Sequence, residues 1–307
     1  MNFERAIIIR EKTRLEQLIE RFNSKAQAKF YIERSGGDFN FYEIENEKFY
    51  ESLNEVQKSI SKHLKLKIIY RSFLPTYIFT ENDLIVVLGQ DGLVANTAKY
   101  VNGFPILGVN PDTERYDGIL LKHTPSDMNN LIKEVVKGVF ETKKVTMAKA
   151  ELNDGQTLLA FNDFYIGADS HISSRYEIEF KGKKEKQSSS GIIVSTGAGS
   201  TGWLSSIFNM SHNIYGFNTI GENEHQSQIN WEDEKLIFVV REPFLSKVTQ
   251  TDIGFGVITK RQTLKIESNM PRKGIIFSDG IESDFLNFNS GSKVEIGIAE
   301  EKANLII

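Results

Sequence analysis

The spacing of apolar residues changes once along this chain, near residue 144, and the change divides it into two kinds of architecture. Residues 6–9 form a short unbroken apolar run that predicts a strand. Leu15, Leu18 and Ile19 then fall on one face of a helix over 13–21. A second helix is predicted over 54–64 and a second strand over 67–70. Residues 84–88 are five branched apolar positions in a row after the turn-like Asn82-Asp83, the pattern of a strand buried on both faces. A helix over 94–101 and a strand over 106–109 follow, so this stretch reads as a βαβ unit. Thr124-Pro-Ser-Asp127 joins a capping residue to a first-turn proline. Met128, Leu131, Ile132, Val135, Val136, Val139 and Phe140 then repeat at three and four, a core-facing stripe.

After Lys144 the segments become short and β-rich: 145–152, 157–166, 176–180, 191–195, 236–240, 263–267 and 275–277. Asn, Asp, Gly and Lys turns divide them. Asn153-Asp-Gly155 and Lys181-Gly-Lys-Lys184 read as hairpin turns. Helix signals thin out except after Trp203, and residues 217–228 read as a polar loop. An α/β half is therefore followed by a largely antiparallel β half.

Composition narrows the function without naming it. The 307 residues suffice for two domains with a buried core. The 37 basic and 41 acidic residues balance to −4, which gives no electrostatic footprint for nucleic acid. The absence of cysteine excludes disulfides, thiolate zinc sites and cysteine nucleophiles. Apolar runs stop at about five residues, far below the roughly 20 that cross a bilayer, and the N-terminus mixes acids with its arginines. A cytoplasmic protein without membrane partners is expected. The five histidines have no metal-ligand spacing, and no G-x-x-x-x-G-K-[ST] or G-x-S-x-G pattern occurs.

Candidate chemistry begins at Gly89-Gln-Asp-Gly92, where the apolar run over 84–88 ends. Asp91 would sit at the carboxyl end of a parallel strand, where open α/β sheets bind ligands. Gly89 and Gly92 would allow tight turning and close approach of the backbone. Phe161-Asn-Asp-Phe-Tyr165 sets Asn162 and Asp163 inside an apolar strand. There they are costly to bury without hydrogen bonds, unless the dipeptide is a strand-end turn. Gly197-Ala-Gly-Ser-Thr-Gly202 fits G-x-G-x-x-G, but no second strand follows at the distance a dinucleotide-binding βαβ unit requires. A Gly/Ser/Thr turn before a helix still offers N–H groups and hydroxyls to a phosphate or ribose. Ser278-Asp-Gly280 is first of all a hairpin signal.

The order Gly-x-Asp-Gly, Asn-Asp, Ser-Thr-Gly-x-Gly-Ser-Thr, Asp-Gly resembles the NAD kinases from about residue 80 onward. The likeness is closest to the mitochondrial-type branch, which Pro105–Arg115, Glu185–Gly191 and Arg241-Glu-Pro243 also resemble. The resemblance implies the NAD kinase fold: an N-terminal Rossmann-like α/β domain (1–123, joined by the returning 294–307) and a C-terminal β-sandwich-like domain (124–293). It implies transfer of the ATP γ-phosphoryl group to the 2′-hydroxyl of the adenosine ribose of NAD, giving NADP, with Mg²⁺ accompanying ATP. It also implies a homo-oligomer, dimer or tetramer. By the same resemblance Asp91 is the general base, a role that suits a carboxylate ionised at neutral pH. Gly92, Asn162, Asp163, Ser195, Thr196, Thr201, Gly202, Trp203 and Asp279 line the NAD pocket. Gly89, Gln90, Gly92, Gly199 and Ser200 face the phosphates of ATP. No side chain is assigned as a protein metal ligand.

Two positions depart from the family pattern. Gly-Gly-Asp-Gly-Thr reads Gly89-Gln-Asp-Gly-Leu93 here, so Gln90 adds a side chain and Leu93 removes a hydroxyl on the ATP side. These changes favour one alternative, a catalytically weak NAD-binding regulatory protein of the same fold. Asp91 speaks against it. A related-fold kinase acting on another alcohol is the other alternative, and the Asn162-Asp163 pair with the Gly/Ser/Thr loop favours a nucleotide acceptor instead.

Overall fold

A computed structural model describes residues 2–218 and 229–307, so most of the polar loop expected over 217–228 lies outside the described residues. The chain divides into two compact units, Met1–Lys143 with Asn304–Ile307, and Lys144–Ala303.

In the first unit β1 (Arg5–Arg10) is followed by α1 (Arg14–Phe22), α2 (Lys25–Arg34) and α3 (Asn40–Ile60). Then come β2 (Lys65–Tyr70), β3 (Asp83–Leu88), α4 (Asp91–Ala98), β4 (Pro105–Val109) and α5 (Met128–Val136). The strands pair in parallel in the order β2-β1-β3-β4, and Asn304 and Leu305 add beside β4. Every residue of β3 is buried, as an unbroken apolar run in a covered parallel sheet requires. Val56 and Ile60 of α3 and Met128, Ile132 and Val135 of α5 cluster with Ile8, Val86 and Leu107 of the sheet. Thr13 and Glu16 form a capping box that starts α1.

Two differences from the sequence reading have physical causes. α2 has Phe30 and Tyr31 exposed, so it carries no apolar stripe to detect. α3 begins well before residue 54 because charge pairing supports its first turns: Glu45 bridges to Arg14 and Arg115. The expected division at 123/124 falls ahead of α5. That helix packs on the first core, and the contacts divide the chain at 143/144 and 303/304 instead.

The second unit comprises β5 (Thr142–Leu152, its first two residues in the first unit), β6 (Thr157–Ala160), β7 (Asp163–Ala168), β8 (Ser174–Phe180), β9 (Lys183–Ser189), β10 (Ile192–Ser195) and α6 (Trp203–Asn218). It continues with β11 (Lys235–Val240), β12 (Phe255–Thr259), β13 (Leu264–Ser268), β14 (Gly274–Ser278), β15 (Ile281–Asn287) and β16 (Lys293–Ile306), whose last residues belong to the first unit. One antiparallel sheet has the order β12-β11-β10-β7-β14-β15. β16, β13, β8 and β9 run side by side in the other, with β5 and β6 attached at β16. Phe164, Ile166, Val194, Phe238 and Ile276 of the first sheet interlock with Tyr176, Ile178, Ile266, Val294 and Ile296 of the second. This is the β-sandwich expected of the chain's second half. The span 157–166, predicted as one strand, is two: the chain breaks at Phe161-Asn162 and resumes at Asp163.

Candidate functional site

The described site residues fall into two groups, one in each unit. In the first, β3 delivers the chain to Gln90, whose extended backbone caps α4. Helix starts at Asp91 rather than at 94, so Asp91 occupies the first turn, where a carboxylate complements the helix dipole. Its Oδ1 accepts a hydrogen bond from the Leu120 N–H (2.7 Å) and its Oδ2 one from the Ile119 N–H (3.1 Å). These donors lie on the loop between β4 and α5. Asn110 folds that loop by accepting from the Asp112 N–H and donating to the Tyr116 carbonyl. Gly108 lets it lie flat on β4, since a Cβ there would stand 2.5 Å from the Leu120 carbonyl oxygen. The carboxylate is thus fixed at both oxygens, with lone pairs left for a ligand.

The two glycines are not needed for a left-handed turn, the first of the two roles the sequence suggested. Neither Gly89 nor Gly92 has a positive φ. Gly89 makes room for the Leu93 side chain, and Gly92 is exposed with open space around its α-carbon. Leu93 is buried, so its side chain is committed to packing, whereas Gln90 is exposed at the helix start without a capping bond.

In the second unit Asn162 and Asp163 join β6 to β7, and the loop is clamped on both of its polar edges. The Asp279 carboxylate accepts from the N–H groups of Phe161 (3.1 Å), Asn162 (2.6 Å) and Asp163 (3.3 Å). Thr196 takes the carbonyls: its N–H donates to Asn162 (2.9 Å) and its hydroxyl to Phe161 (2.6 Å). Gly199 lies so close to the Asn162 carbonyl that a Cβ would collide with it. The Thr196 hydroxyl in turn accepts from the Gly199 N–H, and Ser200 Oγ donates to the Gly197 carbonyl. Ser195 pairs across the sheet with Asp163. Thr201 and Gly202 are exposed at the helix start.

Asp163 is buried, and its carboxyl is pushed up to about 7, first by desolvation and then by the charge of Asp279. The Gly/Ser/Thr turn leads into α6, and β11 returns antiparallel to β10, so the G-x-G-x-x-G match is not a Rossmann unit.

Trp203 stacks parallel on Tyr165 at 6.0 Å, Tyr165 meets Phe277 at 5.1 Å, and the Arg241 guanidinium lies 5.6 Å over Trp203. These residues border a cavity of about 460 Å³. The sequence reading named Trp203 but missed Tyr165 and Phe277. Its alternation along 157–166 could have flagged Tyr165, which shares the Asp163 face of β7. The Lys181-Gly182 turn is a solvated hairpin tip, as its composition suggested, with both residues at positive φ.

No protein-family model matches the chain. Over 129 residues it is 31% identical to an NAD kinase of Alcanivorax borkumensis, covering 39% of this chain and 42% of that protein. It is 33% identical over 129 residues to an NAD kinase of Cellvibrio japonicus, with the same coverage. Over 163 residues it is 29% identical to one from Citrifermentans bemidjiense, covering 48% and 53%. The chain therefore matches about half the length of these bacterial relatives. The crystal structure of an NAD kinase from Archaeoglobus fulgidus in complex with ATP superposes on 99% of this chain and 93% of its own, at 15% identity and a TM-score of 0.59. The α/β unit, the β-sandwich unit and this superposition together give the chain the NAD kinase fold.

Proposed function

We propose that this protein is an ATP-dependent NAD kinase. The observation that carries the reading is Asp91, a carboxylate at the end of a buried parallel strand with both oxygens anchored by loop N–H groups. A general base must be held in place, and phosphoryl transfer asks the protein mainly for alignment and charge stabilisation. The 2′-hydroxyl of the adenosine ribose attacks the γ-phosphorus of ATP, and its proton passes to Asp91. The new O–P bond forms as the bond to the bridging β,γ-oxygen breaks, leaving ADP and NADP. Asn162 and Asp163 bind the nucleoside of NAD, with Ser195, Thr196, Thr201, Gly202 and Trp203 lining the same pocket. The family resemblance assigns Gly89, Gln90 and Gly92, and likewise Gly199 and Ser200, to the phosphates of ATP. Placement in the mitochondrial-type branch rests on the sequence motifs alone, since the relatives named above are bacterial.

The described residues include no cluster of three or more metal-ligating side chains. The family resemblance implies a Mg²⁺ ion that would accompany the triphosphate. When bound, the ion would neutralise charge on the transferring group, and Asp91 keeps the separate role of proton acceptor. The exposed Gln90 amide supports retained activity over the regulatory alternative, because it can donate to a phosphate oxygen where the family has glycine. Cytoplasmic location and homo-oligomerisation belong to the same proposal. No described helix is long and apolar enough to cross a membrane.

The test is direct. Purified protein with ATP, Mg²⁺ and NAD, coupled to an NADP-specific dehydrogenase, is expected to generate NADP. A folded protein that binds NAD but forms none would overturn the kinase reading in favour of the regulatory one.

A further inference from the structure

Asp279 and Gly280 form the two-residue turn between β14 and β15, both at positive φ (54° and 69°). A hairpin turn of this type needs only residues that tolerate that conformation, and asparagine-glycine is the preferred pair. Aspartate tolerates it too, so the turn alone does not explain the carboxylate. What does is its contact list: three consecutive backbone N–H groups, Phe161 to Asp163, converge on the two oxygens of Asp279. The backbone N–H of Asp279 also donates to the Asp163 carbonyl at 3.0 Å. These N–H groups lie at and beside the break between β6 and β7, where the run of strand is interrupted at Phe161-Asn162.

We propose that Asp279 is a positioning residue for the acceptor nucleotide, its carboxylate holding the backbone of 161–163 so that Asn162 and Asp163 are presented in one fixed geometry. This rests on the NAD kinase reading, and it differs from the sequence assignment in that Asp279 acts through the loop instead of touching NAD. Thr196 grips the carbonyl edge of the same residues, so the loop is pinned from both sides. The charge on Asp279 also adds to the burial that raises the Asp163 carboxyl.

The turn chemistry supplies a discriminating variant. Asp279→Asn keeps or improves the hairpin but replaces one accepting oxygen with an NH₂ group and removes the charge that strengthens all three bonds. Faster amide exchange is expected for the peptide covering 161–163, with the melting temperature lowered by no more than a few degrees, about what the loss of one or two such bonds costs. In the coupled assay KM for NAD is expected to rise about tenfold or more, while KM for ATP and kcat stay within about twofold. Asp279→Gly, which also suits the turn but offers no acceptor, should reproduce the pattern. Unchanged exchange and an unchanged KM for NAD in both variants would overturn the proposal and leave a turn residue only. Equal losses for NAD and ATP with a larger fall in melting temperature would overturn it as well. If the parent protein forms no NADP, the kinase reading fails separately. Exchange at 161–163 and calorimetric NAD binding then still decide whether the carboxylate positions the loop.

Discussion

At the scale of single residues, the candidate chemistry depends less on side chains reaching into space than on backbone N–H groups holding side chains still. Asp91 is the main case. Asp91→Asn removes the proton acceptor and turns an NH₂ group towards either Ile119 or Leu120, so one of the two anchoring bonds is also lost. We expect kcat to fall by at least about a hundredfold, the low end of what a positioned general base contributes. Stability should fall by only about 1 kcal/mol, and calorimetric NAD affinity should be retained. Near-parental turnover would remove Asp91 from the mechanism. The same scale explains why the departures at Gln90 and Leu93 are less alike than they look in sequence. Leu93 is turned into the packing above Gly89, while Gln90 keeps a free polar head at the helix start. Of the two, only Gln90 leaves its side chain exposed.

At the scale of elements, glycines set how closely each loop approaches its strand. Gly108→Ala in β4 would press a methyl group against the Leu120 carbonyl and move the Ile119 and Leu120 donors that hold Asp91. The expected outcome is a kcat reduced by roughly tenfold or more with NAD affinity unchanged, because a small misplacement of a catalytic group is enough to slow transfer. Equal kcat in the variant would mean that the loop gives way without carrying Asp91 with it. This scale also marks where the sequence was legible. β1, β3 and β4 announced themselves because a covered parallel sheet demands unbroken apolar runs. α5 did so through its stripe. β9 (KKEKQSS) and β15 (IESDFLN) did not, since polar residues dominate both and even the buried face of β9 is Glu185, Gln187 and Ser189; hydrogen bonding to β8 and β14 makes them strands. The site motifs were readable one by one. The clamp of Asp279 on 161–163 was not, because it joins positions more than a hundred residues apart and leaves no periodic trace.

At the scale of the molecule, one buried group in each unit, Asp163 and His123, links stability to pH in opposite senses, and the tryptophans separate them. Trp203 and Trp231 are the only two in the chain and both lie in the second unit, so intrinsic fluorescence follows its unfolding. In that unit Asp163 ordinarily titrates at 3.8 when unfolded and at about 7 in the fold. Between those values the native state holds a proton that the unfolded state has released, so stability falls as pH rises through the window and that contribution is gone above about pH 7. The span from 3.8 to about 7 corresponds to on the order of 4 kcal/mol at most. In the first unit burial lowers the His123 imidazole, so stability there is lost in the other direction, as pH drops below 6.5 and the unfolded histidine takes up a proton. Asp163→Asn, neutral and nearly isosteric, should flatten the fluorescence-detected stability profile between pH 4 and 7 and make the second unit more stable than the parent at pH 8. It should leave the acid-side loss of the first unit, followed by hydrogen exchange around His123, as it was. A parent protein whose fluorescence-detected stability is level from pH 4 to 7 would show that Asp163 is ionised throughout.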